Sequence, residues 1–335
     1  MTATGSEGME AIVCNAFDGP DALVMGSLPE PVCGDDEVLV SVRAAAVSFM
    51  DRLMVSGGYQ MKPAFPFAPG TDAAGVVRKV GAGVTTLREG DRVVGSTWVG
   101  AYAETVAFKG SRCAVLPDNV SFEAAATLPY AYLTARHAFA DRAALRPGEI
   151  CLVTGATGGA GLAALDTARA MGARTIAVVG RREKAAIAKE YGAEAVVVLA
   201  DEDLRTAVKA LTDGRGVDVC FETLGGDPFL ACARLMAPGG RLMPIGFATG
   251  TIPALPMNLP LVKAYSVVGV FMGAWADAEP LASQQALRAI VADVAAGTLK
   301  PRVDTVLPLK DAAAAMARLG ARDVVGRIVL SLPPR

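Results

Sequence analysis

The sequence predicts an α/β protein of two domains, a β-rich one followed by a doubly wound parallel sheet of six strands with helices on both faces. Three observations carry that expectation. Short strand-like runs separated by Gly and Pro turns crowd the first hundred residues. From Ile150 onward, apolar strands alternate with helical segments. Between them, the run Ile150–Gly161 joins an apolar strand to an Ala/Leu-rich helix through a glycine turn. A chain of 335 residues has room for two ordinary cores.

Residues 1–8 are small and polar, without the charged and apolar blocks of a signal peptide, and read as a disordered extension. The first domain, 9–128, has strands at Glu10–Asn15, Val38–Val42, Gly75–Val80, Arg92–Gly95 and Ala103–Phe108. Their close spacing favours a barrel or sandwich over βαβ units. Helices follow at Glu123–Thr127 and Leu133–Arg142. In the second domain, 129–273, strands are expected at Ile150–Thr154, Arg174–Val179, Ala195–Leu199, Val217–Phe221, Arg241–Ile245 and Ser266–Phe271. Helices separate most of them, at Leu162–Met171, Glu183–Tyr191, Leu204–Leu211 and Pro228–Met236. Near-continuous apolar strands suit a sheet covered on both faces. The tail, 274–335, carries helices near Leu281–Ala296 and Asp311–Leu319, then a strand at Arg327–Leu332 that returns to the first domain.

Composition removes several function classes. A net charge of −2 leaves no broad basic face for nucleic acid. Asp, Arg, Gly or Pro interrupts every apolar run before it reaches bilayer length. Six scattered cysteines without a CxxC pair point to a reducing, cytoplasmic compartment. The one histidine, His137, lies in a helical stretch and reads as structural. No cluster of Cys, His and carboxylate offers the ligands of a zinc site, so no metal is expected. Alcohol oxidation needs a Lewis acid or base relay to take the hydroxyl proton. Hydride delivery to an electrophile that already stabilises negative charge needs neither.

The glycine turn is the cofactor expectation. Gly155, Gly158 and Gly161 permit a tight turn, close approach of phosphate, and close helix–strand packing, with the helix N-terminus facing the pyrophosphate. At the end of the next strand, where a carboxylate would hold the ribose of NAD, stands Gly180, followed by Arg181, Arg182 and Lys184. The cations fit an adenosine 2′-phosphate, which selects NADPH. The bland alternative is a solvated helix start in which Glu183 pairs locally.

Several motifs carry a resemblance: Phe65–Gly75 (FPFAPGTDAAG), Gly90–Val93, Leu133-Thr134-Ala135, the turn at 155–161, Ala237–Arg241, Ile245–Ala248 and Ser266–Val270. On these the chain resembles the zinc-independent quinone oxidoreductases (zeta-crystallin-like) of the medium-chain dehydrogenase/reductase superfamily, over essentially all of Met9–Leu332. The resemblance implies a GroES-like domain, a Rossmann domain, and NADPH in the cleft between them. It implies that Gly158, Gly159, Ala160 and Gly161 line the dinucleotide turn and that Gly180, Lys184 and Arg322 meet the 2′-phosphate. Thr134 matches a residue near the nicotinamide; Gly246, Phe247 and Phe271 fall in segments close to the cofactor. Asp51 and Tyr59 match positions at the substrate mouth; the alternatives are a helix cap for Asp51 and a surface loop for Tyr59. Zinc-dependent relatives carry Cys and His ligands near the positions that here read Ser48–Asp51 and Gly70–Asp72.

Three positions depart from the family pattern: Ser48 replaces an asparagine, and Leu53 and Leu199 replace tyrosines. A less polar pocket follows. The expected activity is NADPH-dependent reduction of quinones or related conjugated carbonyls, with Tyr59, Ser48 and backbone N–H groups as donors to the developing oxyanion. An enoyl-thioester or enone reductase and a non-catalytic NADPH-binding protein remain open as alternatives. The Val-rich 266–271 strand, as a sheet edge, would pair with its copy in a homodimer.

Overall fold

The computed structural model describes residues 8–321 and 323–333. The expectations for residues 1–7 and for Arg322 therefore lie outside the described residues. Two compact units divide the chain. One comprises Met1–Tyr130, Ala274–Gly297 and Pro301–Arg335; the other Ala131–Gly273 and Thr298–Lys300.

The first unit begins with the antiparallel pair β1 (Met9–Val13) and β2 (Val24–Leu28). Its main sheet is built on the long strand β3 (Glu37–Val47), followed by helix α1 (Phe49–Val55) and strands β4 (Asp72–Val80), β5 (Arg92–Ser96), β6 (Thr105–Lys109) and β7 (Cys113–Val115). β3 runs on to Val47, five residues past the expected Val42, because Ala44–Ala46 pair with β4 on one side and Ala44–Val47 with a later strand on the other. Helix α2 (Phe122–Ala126) closes this stretch; α3 (Leu128–Arg136) takes the chain into the second unit at Ala131 and continues as a π-helical turn over His137–Arg142. There the His137 Nδ1 lies 2.8 Å from Asp141, a local pairing.

The second unit holds β8 (Ile150–Thr154), α4 (Gly159–Ala170), β9 (Arg174–Val179), α5 (Ala185–Glu190), β10 (Ala195–Val198), α6 (Leu204–Leu211), β11 (Val217–Glu222), α7 (Gly226–Ala233), β12 (Met236–Pro244), α8 (Asn258–Lys263) and β13 (Ser266–Val267). Its six strands pair in the order β10-β9-β8-β11-β12-β13, all parallel. This is the Rossmann order, which reverses direction between β8 and β11. Every residue of β8 is buried, as a central strand covered on both faces requires. Leu152, Val178, Val197, Phe229 and Leu242 lie in the core of this unit.

The edge strand is shorter than the expected 266–271. Pairing stops at the bond from Val268 N–H to the Leu242 carbonyl. The next position of the ladder would face Pro244, which has no N–H to give, and the Gly269 carbonyl is taken by Arg142 Nε at 3.0 Å.

The chain then adds α9 (Met272–Ala278), α10 (Pro280–Ala295), β14 (Val303–Pro308), α11 (Ala312–Ala321) and β15 (Arg327–Ser331). β15 inserts between β14 and β3, antiparallel to β3 with Ile328 opposite Val47, and completes the first unit's sheet. Ile328 and Leu330 enter the same core as Val40, Phe108 and Met316. Among the described residues no helix is long and apolar enough to cross a membrane.

Candidate active site

In the second unit, the chain leaves β8 into a turn that only glycine fits. Gly155 has φ +57°, and a Cβ there would sit 2.5 Å from Thr223 Oγ1. A Cβ on Gly161 would overlap the Gly155 carbonyl oxygen, so the first turn of α4 lies directly on the loop. Gly158 is the N-cap of this 12-residue helix and has no side-chain cap; Gly158, Gly159 and Ala160 are half-buried. The N-cap thus offers no side-chain acceptor to the opening N–H groups of α4, an arrangement that can take an anion.

Beyond β9, a Cβ on Gly180 would meet nothing within 4 Å, and Arg181 and Arg182 are exposed. They stand at a short 3-10 turn, Arg182–Lys184, that precedes α5. Arg182 reaches Asp201 at 2.9 Å, while Arg181 and Glu183 face each other loosely at 3.9 Å. Glu183 thus pairs with Arg181, as the solvated-helix-start alternative has it, while Arg182 is engaged by Asp201. Gly246 and Phe247 lie in the loop after β12, which is tied to β11 by hydrogen bonds from Ile245 to Glu222 and from Ala248 to Thr223. Thr134 is buried on α3. Phe271 is 52% exposed just before α9, outside β13 and not in the strand expected over 266–271.

The candidate side chains of the first unit are arranged differently from the expectation. Ser48 and Asp51 form a capping box at the start of α1. Asp51 Oδ2 accepts from Ser48 N–H at 2.7 Å, Ser48 Oγ at 2.7 Å and Tyr102 OH at 2.9 Å. The Ser48 hydroxyl proton is thus committed to Asp51, and its oxygen to the Asp51 N–H. Both side chains are buried, at 3% and 1% exposure. The Ser48 hydroxyl is engaged by Asp51, and Asp51 holds a helix start, which is the cap reading of that residue. The Ser-x-x-Asp pattern ahead of an apolar run was the sequence signal for this box.

Beside it, Asp72 Oδ2 accepts from Tyr130 N–H at 3.1 Å and from Arg327 Nη2 at 3.4 Å, while Arg327 Nε donates to the Val47 carbonyl. Burial pushes the Asp72 carboxyl up to about 7, against the pull of Arg327 and with the push of Asp51's charge. Burial also raises Asp51, opposed by its bonds to Ser48 and Tyr102. Tyr102 and Arg327 went unnoticed in the sequence because their partners lie 51 and 255 positions away. Tyr59, in the loop after α1, is half-buried against the first unit's core, and burial raises its phenol, keeping it a proton donor at neutral pH. Phe17, Phe65 and Phe67 form an aromatic group on the same unit, with Phe17 and Phe65 centroids 4.5 Å apart.

Where zinc-dependent relatives carry their ligands, this chain has a capping box and a carboxylate bound to a guanidinium. Among the described residues no group of three His, Cys, Asp or Glu side chains could hold a metal ion. The donor set does not fit zinc.

Comparisons with known proteins agree with this architecture. Residues 34–118 match the family model described as "Alcohol dehydrogenase GroES-like domain", and residues 159–288 the model "Zinc-binding dehydrogenase". The chain is 35% identical over 331 residues to quinone oxidoreductase-like protein 2 homolog of Nematostella vectensis, covering 98% of this chain and 90% of that protein. It is 32% identical to human quinone oxidoreductase, covering 98% and 100%. Among solved structures, the Escherichia coli quinone oxidoreductase complexed with NADPH superposes with a TM-score of 0.87 at 29% identity, covering 98% and 100%. A mycobacterial protein complexed with NADPH gives 0.89 at 30% identity, covering 97% and 100%.

Proposed function

Because this chain belongs to the quinone oxidoreductase-like family of the medium-chain dehydrogenase/reductases, we propose that it is an NADPH-dependent reductase of quinones or related conjugated carbonyl compounds that works without zinc. The observation that carries the reading is the pairing of an uncapped α4 N-terminus behind Gly155–Gly161 with the open Gly180 and its exposed arginines. The relatives solved with NADPH support the same cofactor. All six cysteines are free, which suits the cytoplasm.

NADPH, when bound, supplies the hydride. The chain's own residues do the rest by placement. Backbone N–H groups of Gly159 and Ala160 would hold the pyrophosphate, and Arg181 and Lys184 the 2′-phosphate. Tyr59, a protonated phenol, would donate a hydrogen bond to the acceptor's carbonyl oxygen as negative charge develops there, and water would supply the proton that completes the product. With the Ser48 proton held by Asp51, Tyr59 is the side-chain donor left from the expected pair. No residue has to remove a proton, which agrees with a structural His137.

The test is NADPH oxidation against benzoquinone, an aromatic ortho-quinone, a simple enone and crotonyl-CoA, with NADH as control. Turnover of a quinone with NADPH, and much weaker turnover with NADH, is the expected result. Turnover confined to the enone or the thioester would replace this reading with the alkene-reductase one. Tight NADPH binding with no turnover of any acceptor would replace it with a non-catalytic role.

A further inference from the structure

Glu222 ends β11 as a fully buried carboxylate, 0% exposed, that the reaction above does not use. It stands beside β8 where the strand order of the second unit reverses. Burying a carboxylate there carries a desolvation cost that an apolar side chain would avoid, so its bonding pattern asks for a reason. One oxygen, Oε1, accepts from Thr154 Oγ1 at 3.0 Å and from Leu224 N–H at 2.9 Å; the other, Oε2, accepts from Gly225 N–H at 2.9 Å. The Thr154 hydroxyl oxygen accepts from Thr223 N–H at 2.8 Å, and the Thr223 hydroxyl donates back to the Thr154 carbonyl at 2.8 Å. The backbone carbonyl of Glu222 takes the Ile245 N–H at 2.8 Å.

Three loops therefore converge on this one residue. The loop after β8 is held through Thr154, the loop after β11 through Leu224 and Gly225, and the loop after β12 through Ile245. The first contains the Gly155 turn, whose missing Cβ is the space Thr223 Oγ1 fills. The third contains Gly246 and Phe247. A charged, acceptor-only group suits this place because all its partners are donors; an amide would turn an N–H₂ against one of them.

We propose that Glu222 is a positioning residue for the dinucleotide, fixing the glycine turn at the start of α4 and the Gly246–Phe247 loop in one register through Thr154 and Thr223. It touches neither cofactor nor acceptor. The proposal rests on the NADPH reading of the site above. Removing the carboxylate unties the loop after β8 from the loop after β11, leaving the Ile245 bond to the Glu222 backbone carbonyl in place, and the loss falls on cofactor affinity, not on the chemical step.

The experiment compares wild type with Glu222→Gln and Thr154→Val. It reads the NADPH Kd from fluorescence, KM for both substrates, kcat at saturating NADPH, and the ligand-free Tm. Glu222→Gln is expected to weaken NADPH by about tenfold, the scale of a lost charge-assisted bond in a supporting shell. KM for the acceptor and kcat stay unchanged. Thr154→Val keeps the carboxylate but cuts its link to β8, and is expected to show the same split to a smaller degree; it decides the matter if the glutamine variant does not fold. A fall in Tm with NADPH Kd unchanged in the folded variants would overturn the proposal and leave Glu222 a stabilising residue only. If the wild type binds neither NADPH nor NADH, the cofactor reading itself fails, an outcome visible before any variant is made.

Discussion

Asp72 shows how a single residue can carry both a family motif and an unusual environment. Its place in the Pro-Gly-Thr-Asp run was legible, but its burial against Arg327 was not. The folded carboxyl titrates near 7, above its ordinary 3.8. The native state thus binds the proton more tightly than the unfolded chain does. The stabilisation is complete below about pH 4 and is lost as pH rises to 7. Asp72→Asn cannot titrate, so its stability penalty relative to wild type shrinks across that window. The slope is on the order of 1 kcal/mol per pH unit at most. Denaturant melts of both proteins at pH 4, 5.5 and 7 measure it; a penalty independent of pH would mean that Asp72 is ionised throughout. The same contrast divides the roles of Asp51. Its cap at α1, like the turn at Gly155, follows from neighbours in sequence, whereas its bond to Tyr102 is made only by folding.

Elements follow a similar rule. β8, β9 and α6 have the bounds expected from apolar pattern and flanking turns, because each is defined by its own residues. β2, β7 and β14 lack a strong alternating pattern, exist through their partners, and were missed. Contact between elements also sets a prediction at α4. Because a Cβ on Gly161 would overlap the Gly155 carbonyl, Gly161→Val must push α4 off the turn. We expect about 1–3 kcal/mol of destabilisation and loss of NADPH binding, read by calorimetry. Normal affinity would show that this helix–turn contact is dispensable. At the sheet edge, β13 has a partner on one side only among the described strands. Nearby apolar residues stand exposed, among them Leu261 at 79% and Val262 at 72%. A second copy pairing along this edge would cover them, so we expect a homodimer in light scattering and a monomer for Val267→Lys. A wild-type monomer would sink that expectation.

At the scale of the whole molecule, the alternation of strand-only and strand–helix stretches announced two kinds of architecture. The partition of the chain into units follows contacts that no local stretch contains. The first unit is assembled from segments on both sides of the second, and β3 receives its neighbour β15 from the far end of the described chain. This has a consequence for synthesis on the ribosome. Residues of β3 emerge early, and β6 soon pairs with Glu37–Ser41, yet the Ala44–Val47 end of that strand lacks its β15 partner until Arg327–Ser331 follow, tens of seconds later at about 5–20 residues per second. The second unit needs no such wait, since all six of its strands lie within Ile150–Val267. Stalled chains ending at Gly273 should therefore present a protease-resistant second unit and a digestible first one. Equal resistance of both would show that the early strands hold together unaided. The segment translated first is thus the one that most needs shelter by a holding chaperone while the rest is made.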